Sequence, residues 1–282
     1  MRFVSWKKNG TSGLAIRRGA ELIDLGALEL LEVLRAGKAG LEQVAAAAKS
    51  GPTLDPAEIE FLPPLANPGK IVCVGMNYRD HADENKLAQQ AHPTFFLRVA
   101  SSLIGHGQPM LRPFLSEQLD YEAELAAVIG KPGRHIPVEK ALGHVAGYAV
   151  FNEASIRDYQ IGRGQQWTLG KNFDGTGAFG PDFVTVDELP VGAKGLRIET
   201  RLNGATMQSA NTDDMIFDVA TLISRLSEAM TLETGDVIVT GTPGGIGFFR
   251  NPKVFMKDGD VCEVEIEKVG LLRNPVQDEV RP

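Results

Sequence analysis

The stretch LDYEAELAAVIG, residues 119–130, constrains the fold more than any other part of the chain. Its residues alternate in character as an extended strand requires, because successive side chains of a strand point to opposite faces. Glu122 and Glu124 therefore share one face, and the same face continues with the apolar Ala126 and Val128. The pattern predicts a strand that is buried along most of its length and carries two carboxylates near its start.

Two carboxylates on a buried strand face require a neutralising partner, because an isolated buried charge is costly. A divalent cation bound by oxygen ligands would satisfy Glu122 and Glu124. The same spacing also occurs at Glu263, Glu265 and Glu267, where the glutamate face carries no apolar residue. That second strand is predicted to be one-sided, with its carboxylates in solvent. Spacing alone therefore leaves two interpretations of the first pair open, a metal site and an exposed strand face.

Composition indicates an ordinary globular protein. The chain has 282 residues, of which 43% are hydrophobic and 23% charged, with a formal net charge of -7. No run of lysine and arginine could follow a phosphate backbone, so a nucleic-acid partner is not expected. No apolar run approaches the roughly 20 residues of a membrane span, and the N-terminus lacks the apolar core of a secretory signal. Cys73 and Cys262 lie in apolar runs and are expected to be buried free thiols, so a cytoplasmic location is predicted.

Two regions of different character divide the chain. Residues 1–65 begin with two short strands around an Asn9-Gly10 turn, followed by short helices in ELIDLGALELLEVLRAG and LEQVAAAAKS. The proline-rich connector PPLANPG, residues 63–69, is predicted to mark a domain boundary. We therefore expect a small N-terminal α+β domain over 1–65 and a larger domain over 66–282.

The larger region is predicted to be rich in β-structure, because short apolar runs alternate with long glycine-containing loops. One strong helix is predicted to start near Asp213, capped by Thr212 or Asp213. Its apolar stripe is formed by Ile216, Val219, Ile223, Leu226 and Met230. The segment GKNFDGTGAFGP from Gly170 is predicted to be a loop, as is GTPGGIGFF, residues 241–249, whose backbone N–H groups could hold an anion. Loops gathered at one end of such a domain are where sites usually lie.

Seven sequence blocks resemble, in their order along the chain, the fumarylacetoacetate hydrolase family in its bacterial branch with a small N-terminal domain. The blocks are VGMNYRDHADE, DYEAELAAVIG, AGYAVFNEASIRDYQ, WTLGKNFDGTGAFGP, RLNGATMQ, MIFDVATLISRLS and GDVIVTGTPGGIG, and the resemblance spans residues 70 to about 276. It implies a mixed β-sandwich roll that is usually assembled as a homodimer. It also implies Mg²⁺ or Mn²⁺ as the cofactor and, as the substrate, a 2-oxo acid with a second carbonyl group, that is, a diketo acid.

The metal ligands of the family fall on three carboxylates of this chain. The E-x-E pair of the family corresponds to Glu122 and Glu124. Its third ligand is usually the aspartate of an Asn-Asp pair, and the resemblance places Glu153, after Asn152, at that position. The additional methylene lengthens the reach of this side chain by about 1.5 Å, one C–C bond. A metal is still expected to bind, with a shifted position or an altered preference.

The catalytic dyad of the family corresponds to His81 and Glu84. These two positions are three apart, so in a helical turn their side chains lie on one face and can touch. Glu84 is expected to orient His81, which would act as a general base for water. Four further positions match family residues that contact the substrate or its carboxylates: Arg157, Gln160, Lys171 and Thr242. Arg157 could also be a structural partner of Asp158, and Lys171 could be a solvated loop residue.

The resemblance implies a metal-dependent hydrolase that cleaves the C–C bond of an acylpyruvate, such as fumarylpyruvate or maleylpyruvate, in aromatic catabolism. Lewis-acid polarisation would stabilise the developing enolate charge, and the products would be pyruvate and a second carboxylic acid. The same site could instead decarboxylate oxaloacetate, isomerise a 2-hydroxydienoate or hydrolyse a 2,4-dioxo sugar acid. Since Glu153 departs from the aspartate of the family, a metal-poor, non-enzymatic binding protein of this fold is a further alternative.

Overall fold

The computed structural model of the chain describes residues 1–80, 91–164 and 166–281. Within these ranges the strands are β1 (Arg2–Lys8), β2 (Thr11–Arg18), β3 (Glu21–Asp24), β4 (Thr53–Leu54), β5 (Glu60–Phe61), β6 (Ile71–Gly75), β7 (Thr94–Arg98), β8 (Leu103–Ile104), β9 (Met110–Arg112), β10 (Leu119–Asp120), β11 (Ala123–Ile129), β12 (Val145–Glu153), β13 (Ser155–Ile156), β14 (Gly177–Thr185), β15 (Arg197–Leu202), β16 (Ala205–Asn211), β17 (Val237–Val239), β18 (Val261–Ile266) and β19 (Gly270–Asp278). The α-helices are α1 (Leu30–Arg35), α2 (Gly37–Ala47), α3 (Val138–Ala141), α4 (Arg157–Gln160), α5 (Thr168–Lys171) and α6 (Val219–Ala229). The predicted β-rich α+β class is confirmed.

One large mixed sheet runs through the molecule in the strand order β4-β3-β2-β1-β14-β12-β11-β17-β6-β7, with β5 beside β1 and β8 beside β14. Most neighbours are antiparallel, whereas β6 runs parallel to β17 and β8 runs parallel to β14. The strands before residue 66 join this sheet through β1, which pairs with β14 so that Phe3 lies opposite Phe183. The sheet is therefore continuous across the predicted 65/66 boundary, and the division into two domains stays a prediction.

A second sheet of five strands, in the order β16-β15-β18-β19-β9, faces the large sheet. Side chains from both sheets and from α6 form one buried cluster, which includes Leu125, Val150, Ile223, Val264 and Leu272. Two sheets packed around a shared apolar core correspond to the predicted mixed β-sandwich roll.

Strand β11 is buried on both faces, as its sequence predicts. Leu125 and Ala127 point into the core between the two sheets, whereas Ala126 and Val128 point into a second core that α1 and α2 cover. Both neighbours of β11 are antiparallel, β12 on one side and β17 on the other. A central strand with two covered faces is a rigid support for the carboxylates at its start.

The N-terminal hairpin is confirmed, but the first predicted helix begins later than expected. The register pairs Lys8 with Thr11, which leaves Asn9 and Gly10 as a two-residue turn. Both turn residues have positive φ, 51° and 81°, as a type I′ turn requires. Residues 21–24 form β3 rather than helix, because their backbone pairs with β2 and β4.

The long helix also starts later than the sequence pattern predicts. Thr212 and Asp213, the predicted caps, belong to a separate 3-10 turn. Helix α6 begins at Val219 and is capped by Asp218, whose side chain accepts a hydrogen bond from the helix backbone at 2.9 Å. The backbone between the turn and the helix is not helical, because two of its N–H groups donate to the carbonyl and side-chain oxygens of Asn77.

The glycine-rich segment after residue 170 is only partly a loop. Strand β14 begins at Gly177 and includes Gly180 and Pro181. The pairing of β14 with β12 shifts register at this point, so the glycine and the proline form an irregularity within the sheet rather than ending it. Gly180 has a positive φ of 114°, a conformation that favours glycine.

Candidate active site

Three carboxylates meet where β10, β11 and β12 come together. Glu122 lies between β10 and β11, Glu124 is the second residue of β11, and Glu153 is the last residue of β12. The pairing of the strands continues to this point, because Glu153 N donates to the carbonyl oxygen of Glu122 at 2.9 Å. One oxygen from each carboxylate lies within 4.8 Å of the others. The structure therefore brings together the three side chains predicted as metal ligands.

This triad has the chemistry of a divalent-cation site. The residues are buried, with exposures of 5%, 1% and 1% for Glu122, Glu124 and Glu153. Ionised carboxylates are hard oxygen donors that suit Mg²⁺ or Mn²⁺. Burial, followed by the charges of Glu153 and Glu122, raises the pKa of Glu124 well above its ordinary value. A divalent cation would offset this repulsion, so the residues present fit such an ion.

Lys171 and Arg157 neutralise part of the negative charge of the triad. The Lys171 ammonium donates to one oxygen of Glu122 and one of Glu153, both at 2.8 Å. Arg157 Nη1 lies 2.7 Å from the other oxygen of Glu122, and its Nε donates to Asp120 at 2.8 Å. Burial alone would lower the pKa of Lys171, but Glu122 and Glu153 outweigh this effect and raise it. The lysine is thus a buried ammonium rather than a solvated loop residue.

Arg98 is a site residue that the sequence pattern does not single out. Its side chain is fully buried, and it donates from Nε and Nη2 to one oxygen of Glu153, at 3.4 and 3.2 Å. Glu153 therefore has a cation on each of its oxygens, Arg98 on one and Lys171 on the other. The signal available in the sequence is a single arginine within the apolar run TFFLRVA, because charged residues are seldom buried unless they are paired.

The 241–249 loop does hold an anion, and that anion is a side chain of the protein. Gly247 N and Phe248 N donate to the two oxygens of Asp120, at 2.8 and 2.9 Å. Gly241 N donates to Glu124 at 2.5 Å. The loop is thereby fixed beside the triad through its own backbone N–H groups.

A cavity of about 120 Å³ opens at the triad. It is lined by all the predicted site residues that the structure describes: Glu122, Glu124, Glu153, Arg157, Gln160, Lys171 and Thr242. Its other walls are mostly apolar and include Phe96, Trp167, Ile246, Phe248 and Phe249. Gln160 accepts a hydrogen bond from Arg157 and Thr242 accepts one from Gln208, each at 2.8 Å. A charged floor between apolar walls is a common form of binding site for a small polar ligand.

The predicted dyad, His81 and Glu84, lies outside the described residues. The chain that leads to it is well anchored, because Asn77 is fully buried and its amide donates to two backbone carbonyl oxygens, at 2.9 and 2.7 Å. Met76, which lines the cavity, has a positive φ of 57°, an uncommon conformation that recurs at functional sites. The segment before the dyad therefore passes the cavity, and the roles of the two residues stay predictions.

Three further predictions concern parts of the chain that lie away from the cavity. Glu263 and Glu265 are partly exposed and pair with Arg201, at 3.0 and 2.7 Å, and Glu267 is exposed. The prediction of a one-sided strand with its carboxylates towards solvent is therefore confirmed. Cys73 and Cys262 are buried free thiols, as predicted. Within the described ranges, no helix has the length and apolar character that a membrane span needs.

Comparisons with known proteins agree with this architecture. Residues 70–277 match the family described as "Fumarylacetoacetate (FAA) hydrolase C-terminal". Among curated proteins, oxaloacetate tautomerase FAHD2A, mitochondrial, of Bos taurus is 43% identical over 272 residues, which cover 94% of this chain and 86% of the relative. Among solved structures, fumarylacetoacetate hydrolase from psychrophilic Exiguobacterium antarcticum has a TM-score of 0.87 and 36% identity, covering 99% of this chain and 100% of that chain.

A further solved structure contains a metal. It is maleylpyruvate hydrolase from Sphingobium in complex with manganese(II) ion and pyruvate, with a TM-score of 0.84 and 26% identity over 99% of this chain and 100% of that chain. The similar proteins therefore include a hydrolase and a tautomerase. From the extent of the family match and from the similarity along the whole chain, we conclude that this protein belongs to the fumarylacetoacetate hydrolase family.

Proposed function

We propose that this protein is a divalent-metal-dependent enzyme that interconverts the keto and enol forms of oxaloacetate. The observation that carries the proposal is the 43% identity to the bovine oxaloacetate tautomerase over 94% of this chain. The acidic triad at the floor of the cavity adds the chemistry that such a reaction needs. The sequence resemblance favours hydrolysis of an acylpyruvate and keeps decarboxylation of oxaloacetate as an alternative. The similarity to an oxaloacetate tautomerase supports the oxaloacetate alternative better than the hydrolase, with tautomerisation in place of decarboxylation as the reaction.

Tautomerisation moves two protons and breaks no C–C bond. One proton leaves C3 of the keto form and one is added to the C2 oxygen, so the charge that develops on this oxygen must be stabilised. Glu122, Glu124 and Glu153 would hold the divalent ion, which supplies Lewis-acid polarisation of the 2-oxo group when bound. When all groups are ionised, the triad and Asp120 contribute four negative charges. The buried side chains of Arg98, Arg157 and Lys171 contribute three positive charges. A divalent ion would change this net negative charge to a net positive one, which suits an anionic substrate.

Arg157 offers a hydrogen-bond donor to the substrate. Its Nε and Nη1 are paired with Asp120, Glu122 and Gln160. In the described part of the chain, the buried Nη2 has no hydrogen-bond partner. An unpaired buried donor is costly, and a substrate carboxylate would satisfy it with a charge-assisted hydrogen bond. Lys171, kept in its ammonium form by two carboxylates, adds a second positive charge at the cavity floor.

The size of the cavity also supports a small acid as substrate. Its volume of about 120 Å³ is well below the roughly 300–1,000 Å³ of sites for drug-sized ligands. Trp167 and Phe96 limit it on one side, packed edge to face with ring centroids 5.3 Å apart. A four-carbon dicarboxylate fits these limits better than an acylpyruvate with a long acyl group.

The direct test follows the ultraviolet absorbance of enol-oxaloacetate as it converts to the keto form. The protein with Mn²⁺ or Mg²⁺ should accelerate this decay, and a chelator should abolish the acceleration. Mn²⁺ should also raise the melting temperature, because it binds the folded state. Glu124→Gln, which removes a charge at nearly constant shape, should lose both effects, whereas Glu265→Gln on the second sheet should keep both. Enol decay that the metal-loaded protein leaves unchanged would contradict the proposal.

Hydrolysis of an acylpyruvate is the second candidate function. It is supported by the similarity to maleylpyruvate hydrolase and by the predicted dyad of His81 and Glu84, which would activate water. A lactate dehydrogenase-coupled assay for pyruvate, run across a panel of diketo acids, separates the two functions. Pyruvate released from fumarylpyruvate or maleylpyruvate without faster enol decay would favour the hydrolase. If the protein releases pyruvate from oxaloacetate and from no other acid of the panel, the reaction is decarboxylation.

Assembly as a homodimer and a cytoplasmic location stay predictions from the sequence. Phe114, Leu115 and Leu169 line one shallow pocket and are 40%, 54% and 62% exposed. Exposed apolar groups of this kind are often covered by a partner subunit, which is consistent with a dimer. Light scattering coupled to size-exclusion chromatography would measure the oligomeric state.

A further inference from the structure

Arg98, the last residue of the edge strand β7, is the least exposed cationic side chain of the site, and the family resemblance assigns it no role. We infer that Arg98 is a positioning residue that fixes the carboxylate of Glu153 and thereby sets the affinity of the triad for its divalent ion. The inference rests on the metal site of the proposed function. It concerns how the third carboxylate is held, which the proposed reaction leaves open.

The guanidinium is fixed by several parts of the chain at once. Its Nη1 donates to Ser102 Oγ at 3.3 Å and to Thr176 Oγ1 at 3.1 Å, and its Nη2 donates to the carbonyl oxygen of Ala154 at 2.9 Å. Nε and Nη2 then both donate to one oxygen of Glu153. Gly177 leaves the necessary room, because a Cβ there would lie 3.1 Å from Nη1. Because the guanidinium is held in this way, its hydrogen bonds restrict the position of the Glu153 carboxylate.

Glu153 is the carboxylate of the triad whose position depends on Arg98. It ends its strand, and its two oxygens are held by different cations, one by Arg98 and the other by Lys171. Lys171 is shared with Glu122, whereas Arg98 forms an ion pair with no other acidic residue in the described ranges. Arg98 is not among the residues that line the cavity. It therefore acts through Glu153 and not by touching the substrate.

A double-mutant cycle tests the inference, with calorimetric titration of the metal-free protein by Mn²⁺ as the readout. Arg98→Met should weaken Mn²⁺ binding by about 10–100-fold, the usual effect of losing a group that orients a ligand. In a Glu153→Ala background the same change should alter the affinity by no more than about twofold, the limit for independent sites. Arg98→Lys keeps the charge but not the two-pronged geometry, and it should give an intermediate loss.

Arg17 provides the matched control, because it forms an ion pair with the buried Asp182 at 2.8 Å and neither residue lines the cavity. Arg17→Met should leave the Mn²⁺ affinity within about twofold of wild type. Thr176→Val removes one anchor of the guanidinium without changing any charge and should weaken binding severalfold. If Arg98→Met fails to fold by circular dichroism, Arg98→Lys and Thr176→Val replace it in the cycle.

The outcomes separate this inference from the proposed function. Equal losses of affinity with and without Glu153 would overturn the role of Arg98 and leave the proposed function intact. An Mn²⁺ affinity equal to that of wild type in the Arg98 and Thr176 variants would also overturn the role of Arg98 and leave the proposed function intact. No Mn²⁺ binding by the wild-type protein would overturn both.

Discussion

The two oxygens of Glu122 face two different cations, Arg157 on one side and Lys171 on the other. Lys171 also binds Glu153, so one ammonium joins two of the three predicted ligands. Glu124 differs from both, because no cationic side chain of the described residues lies within ion-pairing distance of it, and its hydrogen-bond donor is a backbone N–H. The triad therefore combines two carboxylates that the protein itself neutralises with one that requires a proton or an external ion.

Lys171→Met is expected to destabilise the metal-free protein by about 3–5 kcal/mol, because removing one partner of a buried ion pair leaves an uncompensated charge. Urea unfolding followed by circular dichroism measures the change. Lys38→Met is the control, since the Lys38 side chain is 90% exposed and pairs with Glu42 only on the surface. The control should change the free energy of unfolding by at most about 0.5 kcal/mol. A loss for Lys171→Met no larger than that of the control would show that the ammonium does not stabilise the triad.

The affinity for Mn²⁺ is expected to rise with pH. Burial and then the charges of Glu153 and Glu122 raise the pKa of Glu124 above its ordinary 4.5. The stability that the protonated group contributes is fully present below the ordinary value and is lost as the pH rises through the raised one. Since the metal must displace this proton, binding improves over the same range. Titrations in buffers of different ionisation enthalpy measure the protons released, and a pH-independent affinity without release would contradict the expectation.

One buried carboxylate links three elements of the site. Asp120, at the end of β10, pairs with Arg157 at the start of α4 and accepts hydrogen bonds from Gly247 N and Phe248 N of the 241–249 loop. That loop also carries Thr242, which lines the cavity. The position of the loop beside the triad therefore depends on an anion that is not among the residues lining the cavity.

Asp120→Asn is expected to loosen this loop while all three predicted ligands remain. The amide group of asparagine offers one acceptor oxygen in place of two, so either Gly247 N or Phe248 N loses its acceptor. Hydrogen exchange of these amides, followed by mass spectrometry, should become faster, with little change in Mn²⁺ affinity. Asp218→Asn at the cap of α6 is the control, because asparagine caps a helix about as well as aspartate. Exchange as slow as in wild type would show that backbone contacts alone hold the loop.

Elements whose signal is local could be predicted, and elements fixed by distant contacts could not. The alternation in residues 119–130 predicts β11 correctly, because the period of a strand is a local property. The start of α6 is misplaced, since it is set by Asn77, 140 residues from Phe217. The contacts of Arg98 could not be predicted either, because its ion-pair partner, Glu153, is 55 residues away in the sequence. The resemblance predicts the three ligands, but the groups that hold these side chains can be identified only from the three-dimensional structure.

The first 65 residues support the strands that carry the site. Phe3 of β1 packs against Phe183 of β14, with ring centroids 6.3 Å apart. In the large sheet, β14 lies between β1 and β12, the strand that ends at Glu153. The second core contains buried side chains from both sides of the predicted boundary. Packing therefore couples the N-terminal region to the site even though all its predicted residues come later in the chain.

Phe3→Ala should consequently lower the free energy of unfolding by about 3–5 kcal/mol, the usual cost of removing a buried aromatic ring. Val191→Ala is the control, because Val191 is 80% exposed and its change should stay within about 0.5 kcal/mol. The fragment 66–282 should aggregate or melt far below the full chain, since β14 would present an unpaired edge beside exposed apolar side chains. Thermal melting and size-exclusion chromatography measure both effects. A fragment that melts with the full chain and still binds Mn²⁺ would instead establish the boundary at 65/66 as that of an independent domain.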